Sequence, residues 1–254
     1  MLLSLITFTM LNLKQYSAFK GFIAGGVSAD IQNFPHVVYL AAESEPMTFI
    51  CGSSVLNQKI LLTAAHCVAA FNNITAKFMA FAGSHDIRQP RSIRFIQHMI
   101  LHEAFDGDTL ANDIGLVKLK KPLTLGKFLK RSVLPQVFPT NVTTGVIAGW
   151  GVIDDIIDLS TKQLQYLEQT IKSEPTCDMV SGYMSGVFCA GSLTTGDPRP
   201  AIGDSGSAFT VHKYLQIGIL SFRPHDFKSM SVYTNITFFY KWIKNHVKRL
   251  YCTS

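Results

Sequence analysis

Three short segments hold residue types that could together carry out acyl transfer. Gly203-Asp204-Ser205-Gly206 sets a serine between glycines, so the backbone can turn sharply and aim its N–H groups at a carbonyl. Leu62-Thr63-Ala64-Ala65-His66-Cys67 puts a histidine directly after an apolar run and beside a cysteine that could staple it. Asn112-Asp113-Ile114-Gly115-Leu116 puts a carboxylate at the mouth of another apolar run. A serine hydroxyl is a poor nucleophile at neutral pH. It needs a base within hydrogen-bond reach, a buried carboxylate to orient that base, and backbone donors for the oxyanion. The sequence holds a candidate for each part. Taken singly they are weak, since an Asp before a strand is usually a turn residue and a His near a core is usually structural.

Groups so far apart in the chain need a rigid frame. At 254 residues and 47% apolar content, the chain can bury a large core. Apolar runs of four to eight residues recur between turn signals: 37–42, 59–63, 76–82, 114–119, 146–149 and 214–222. Their length and β-branched content predict strands. Residues 236–250 read as a helix, with Phe239, Trp242, Ile243 and Val247 near helical spacing, while 164–171 suits either state. The pattern is an all-β protein closed by one C-terminal helix, with a boundary near Arg131 to Pro139.

Together the chemistry-bearing segments resemble the trypsin/chymotrypsin-like serine protease family. The matching segments are Ile23-Ala24-Gly25-Gly26, Leu62 to Cys67, Asn112 to Leu119, Ala148-Gly149-Trp150-Gly151, Gly203 to Gly206 and Val232-Tyr233-Thr234. They follow the family's order across residues 23 to 250. The resemblance implies two packed six-stranded antiparallel β-barrels, about 23–131 and 132–254, with a C-terminal α-helix. It implies His66 as general base, Asp113 as its orienting carboxylate and Ser205 as nucleophile, with the Gly203 and Ser205 amides as the oxyanion hole. Ser221 takes the position whose neighbours pair with substrate backbone. It also implies disulfides Cys51–Cys67 and Cys177–Cys189, a pairing that spacing alone leaves open; the first would contribute roughly 3 kcal/mol in the chain-entropy model. Cys252 is left free or intermolecular, so the expectation is a monomer or a disulfide-linked dimer.

By the same resemblance, residues 19–22 form a short activation segment, and a new ammonium at Ile23 would pair with Asp204 after an activating protease has cut. Phe22 stands where many members carry Arg or Lys, so the activator cleaves after an aromatic residue or a further trimming step follows.

The expected specificity pocket departs from the family pattern. Arg199 stands where trypsin-like members carry Asp, so cleavage after Lys or Arg is not expected. The resemblance implies Arg199, Ser221, Phe222, Arg223 and Ser231 as substrate-binding residues; Arg223 and Ser231 each replace a wall glycine, and Ala201 replaces a cysteine whose partner is also missing. Ser207-Ala208 replaces the usual Gly-Pro. Two guanidiniums would favour an acidic residue before the scissile bond. Alternatively, Pro198 and Pro200 redirect the loop, and Arg223 narrows the cleft.

Residues 1–18 read as a secretory signal peptide, because the apolar run Met1 to Leu11 is too short to span a bilayer. The glycosylation sequons at Asn73, Asn141 and Asn235 agree with an extracellular product. Of the net charge of +6, Lys14 and Lys20 supply two, so loss of residues 1–22 leaves +4. The basic residues of 118–131 and 241–249 read as solvated faces, without aromatic interleaving or a nucleic-acid motif. No nucleic-acid or membrane partner is expected. No cofactor and no metal are called for, since no ligand cluster has suitable spacing. The expected partners are protein or peptide substrates, the activating protease and protein inhibitors. The competing reading is a catalytically weak or inactive homologue that binds a partner through the same cleft.

Overall fold

The computed structural model describes residues 23, 25–44, 47–71, 77–154, 159–160, 162–182 and 184–252. The expected signal peptide, the whole activation segment and Asn73 lie outside them. After a two-residue strand β1 (Val27–Ser28), six strands close an antiparallel barrel: β2 (Val37–Ser44), β3 (Met47–Val55), β4 (Ile60–Thr63), β5 (Lys77–Ala82), β6 (Ser92–Leu101) and β7 (Gly115–Leu119). Their order around the barrel is β2-β3-β4-β7-β6-β5. β4 and β7 are buried along their whole length, Lys118 of β7 included, which is why they read as largely apolar runs rather than as alternation. A short helix α1 (Ala65–Phe71) follows β4.

The second half contains β8 (Thr144–Gly149), a small ribbon of β9 (Val152–Asp154) and β10 (Leu159–Ser160), then β11 (Gln165–Thr170). Helix α2 (Glu174–Ser181) leads to β12 (Val187–Gly191), β13 (Ala208–Val211), β14 (Leu215–Phe222) and β15 (Met230–Asn235). The main sheet has seven strands in the order β1-β11-β8-β13-β14-β15-β12. It differs from a closed six-stranded barrel in two ways. β1, from the amino-terminal end, is added at its edge, and β11 does not pair with β12; the isolated bridge Ile171–Ala190, just past the end of β11, joins the two, so it is a half-barrel. The ambiguous stretch 164–171 is strand, because its pairing with β8 settles what periodicity could not.

Helix α3 (Tyr240–Cys252) begins later than residue 236 because Asn235 turns the chain first: its Oδ1 accepts from the backbone N and the Oγ1 of Thr237. Phe239, Ile243 and Leu250 pack into the core of the first barrel with Leu116 and Ile114, so the chain's last element returns to the half built first. Side-chain bonds stitch the halves: Ser54 Oγ to Gln216 Oε1 at 2.7 Å, Gln163 Nε2 to Asp86 Oδ2 at 2.9 Å, and Trp150 Nε1 to the His85 carbonyl at 2.9 Å. Disulfides join Cys51 to Cys67 and Cys177 to Cys189, the pairings implied by the resemblance. Among the described residues no helix is long and apolar enough to cross a membrane.

Candidate active site

His66 sits in the first turn of α1, one residue after the helix opens at the end of β4. Its backbone N–H donates to Asp113 Oδ1 at 2.9 Å, and its ring Nδ1 lies 2.8 Å from Asp113 Oδ2. A carboxylate only accepts, so Nδ1 carries the proton and Nε2 keeps its lone pair. That is the tautomer a general base needs. Asp113 is 1% exposed and precedes β7. It is aimed by Asn112, whose backbone takes the left-handed conformation at φ 56° and whose side-chain amide donates to the Ala104 carbonyl. Two bonds from the second sheet fix it further: Ser221 Oγ donates to Oδ2 at 2.5 Å, and Thr234 Oγ1 donates to the Asp113 carbonyl at 2.7 Å.

Ser205 lies on the loop before β13. Its carbonyl accepts from Gly52 N at 2.7 Å, which anchors the loop to β3 of the first barrel. Gly206 follows at φ 83°, and a Cβ there would stand 2.4 Å from the Gly52 carbonyl and 2.3 Å from Thr63 Oγ1. Only glycine lets the loop approach the barrel this closely. Cys67 Sγ lies 3.7 Å from His66 Nε2 and 3.6 Å from the Ser205 carbonyl oxygen, so the Cys51–Cys67 bridge is the common wall of base and nucleophile. No hydrogen bond joins Ser205 Oγ to His66 Nε2 here. Such bonds are often long without substrate and tighten when it binds. The sulfurs of Cys51 and Cys67 share one covalent bond, so beside His66 they offer no thiolate to a metal.

The amides of Gly203 and Ser205 donate to no acceptor among the described residues. Between them, Asp204 turns inward and is fully buried. Its Oδ1 accepts from Gly151 N at 2.8 Å and its Oδ2 from Ala201 N at 2.9 Å. The inward carboxylate pulls the loop into a tight turn, closed by Asp204 N to the Ala201 carbonyl at 3.0 Å, and leaves the flanking amides available. Ile23 is fully buried as well, and a Cβ on Gly25 would stand 2.7 Å from Pro198 Cγ, so the segment after Phe22 packs against the loop that leads to Ser205.

A cavity of about 240 Å³ opens beside Ser205, lined by Ala201, Ile202, Leu220, Ser221, Phe222 and Arg223 together with Pro200. Arg199 is not among its lining residues, although Arg223 is. Ser231 is fully buried on β15, where its Oγ accepts from Gln169 Nε2 at 3.4 Å, while Gln169 Oε1 accepts from Tyr233 Oη. Sequence reasoning missed Gln169. The signal was there, a polar residue in a strand run at a position of the same parity as buried Gln165, but only the β11–β15 proximity gives it partners. Asn141 is exposed on a loop, whereas Asn235 spends its Oδ1 on Thr237 and precedes the fully buried Ile236. Cys252 ends α3. His102 is half-buried between the rings of Phe239 and Trp242.

Comparison with known proteins gives the same picture over the same span. The trypsin family model matches residues 23–243. Trypsin V-B of Rattus norvegicus is 31% identical, over 89% of this chain and 89% of its own length. Granzyme B of the same species is 30% identical, over 90% of this chain and 92% of its own. Among solved structures, HL collagenase superposes with a TM-score of 0.76 at 24% identity, covering 88% of this chain and 97% of its own. An inactivated protease paralogue of the scabies mite superposes with a TM-score of 0.77 at 21% identity, covering 89% and 97%, a likeness of fold alone. With its motifs in order and its two barrel-like halves meeting at the His66–Asp113 pair, the chain belongs to the trypsin-like serine protease family.

Proposed function

We propose that the processed chain is a secreted serine endopeptidase that cleaves peptide bonds through an acyl-enzyme on Ser205. The observation that carries the reading is the buried Asp113 holding His66 in the tautomer whose Nε2 is free, with Ser205 across the same disulfide. In the proposed step Ser205 Oγ attacks the scissile carbonyl carbon while His66 Nε2 takes its proton. The oxyanion forms toward the Gly203 and Ser205 amides. The carbon–nitrogen bond then breaks as His66 returns the proton to the leaving amine, and water, deprotonated by His66, releases the acyl group by the same route in reverse.

The cavity beside Ser205 supports a non-tryptic preference. Its one charged lining residue is Arg223, and no carboxylate lines it to hold a Lys or Arg side chain. An acidic side chain before the scissile bond suits Arg223 best. Activation would follow cleavage before Ile23, with the new ammonium pairing with the buried Asp204 carboxylate.

A small fluorophosphonate tests the reading. After cleavage before Ile23 it should label Ser205, and labelling should vanish in His66→Ala. A correctly processed chain that takes no label would favour the binding homologue instead.

A further inference from the structure

We propose that the groove between α3 and the segment after β7 is a docking site for an acidic polypeptide that also inserts an apolar side chain. Two adjoining cavities, of about 470 and 740 Å³, share Leu56 and Ser132. Leu134, Ile243 and Val247 line the first, and Leu125 and Leu129 line the second, so the groove is apolar within. Its rim is cationic. Lys244 and Lys248 come from α3, and Lys130 and Arg131 come from the chain more than a hundred residues earlier; all four are exposed. In sequence these are two separate basic stretches, each readable as a solvated face. The fold brings them to one groove.

Three observations take this beyond a solvated surface. No Asp or Glu lines either cavity, and the sequence carries none between Asp113 and Asp154 or after Asp226. Among the described residues the four rim cations form no ion pair with a carboxylate, although Lys130 Nζ lies 5.5 Å from the Tyr214 ring centre. One acid that meets α3, Glu103, bonds Trp242 Nε1 and His246 Nε2. Neither of those two residues lines the groove. Finally, Ser132 is only 8% exposed, lines both cavities, and its Oγ has no hydrogen-bond partner among the described residues. A buried hydroxyl left unpaired is costly, and a ligand carbonyl or carboxylate would relieve it.

Charge and shape together select the occupant. The four cations call for carboxylates, and the apolar interior calls for a Leu- or Phe-sized anchor. The chain's own residues 1–22 are apolar, but their only charged side chains are Lys14 and Lys20, which the rim would repel. A sulfated polysaccharide would satisfy the rim and leave the interior uncovered. The groove shares no residue with the cavity beside Ser205, so the inference stands apart from the catalytic one.

The test uses the processed full chain carrying Ser205→Ala, so that no probe can be cut. Fluorescence anisotropy compares a labelled (Glu-Glu-Leu-Phe)₃ peptide with (Glu-Glu-Ser-Gly)₃ at equal charge. The first should bind about 10-fold more tightly, and Lys244→Ala/Lys248→Ala should weaken it by about 10-fold. Ser132→Ala should weaken it by a few-fold, about what one hydrogen bond contributes. Equal binding of the two peptides would overturn the proposal, as would indifference to the double lysine change. So would tighter binding of a heparin oligosaccharide through the same lysines, which would assign the rim to a polysaccharide. On the Ser205 background the double change should leave hydrolysis of a small chromogenic ester unaltered.

Discussion

Ser221 Oγ and the His66 ring share one acceptor, Asp113 Oδ2, at 2.5 and 2.8 Å. The carboxylate is carried by the first barrel, yet a strand of the second sheet holds it in place. Ser221→Ala removes a hydrogen bond to a buried charged group, worth about 1.5–3 kcal/mol. Asp113 would then hold the imidazole less firmly. The expected result is a fall in kcat of about tenfold or more with a smaller change in KM, and a lower thermal midpoint, read from steady-state kinetics and a melting curve.

His36 is 1% exposed, and burial pushes its pKa down from the ordinary 6.5 to about 4. Above pH 6.5 the ring is neutral whether the chain is folded or not. Below that value the unfolded chain takes up a proton that the fold refuses until about pH 4, so stability falls as pH drops through this window. The loss reaches roughly 3 kcal/mol at its acid end. Urea midpoints measured between pH 7.5 and 4 should decline, and His36→Leu should remove that share of the decline.

Gly206→Ala should be far more damaging than its size suggests. The added carbon meets the Gly52 carbonyl at 2.4 Å while the backbone stays at φ 83°. Relief requires the Ser205 loop to withdraw from β3. A loss of more than about 3 kcal/mol is expected, together with loss of active-site labelling. A stable, fully labelled variant would contradict this account of the loop.

Arg223→Glu reverses the charge at the cavity beside Ser205. Cleavage of a peptide library by the parent should favour acidic residues before the scissile bond, and the variant should lose that preference by about 10-fold or more in kcat/KM. An unchanged profile would place the determinant elsewhere.

The six matched segments made the fold and the His66–Asp113 pairing legible, because each is a short run whose backbone geometry and chemistry are tied together. The half-barrel was not legible. β1 pairs through only two residues, and nothing local in Val27–Ser28 announces that it joins the far sheet. Gln169 and the sharing of Asp113 by Ser221 were hidden for a related reason: both depend on partners that are 62 or more positions away in the chain. The loop around Arg199 followed the sequence least. Without a cysteine at Ala201, no crosslink ties that loop in place, and the arginine expected at the pocket floor does not line the cavity.

The return of α3 to the first barrel has a consequence for how the protein is made. Phe239, Ile243 and Leu250 leave the ribosome late, yet they complete a hydrophobic interior most of whose other members were synthesised more than a hundred residues sooner. Until then the early half has an open apolar flank, the kind of transiently exposed surface that favours misassembly. A nonsense mutation in the final helix would therefore be lost to quality control as a misfolded amino-terminal half, even with every reactive side chain already translated.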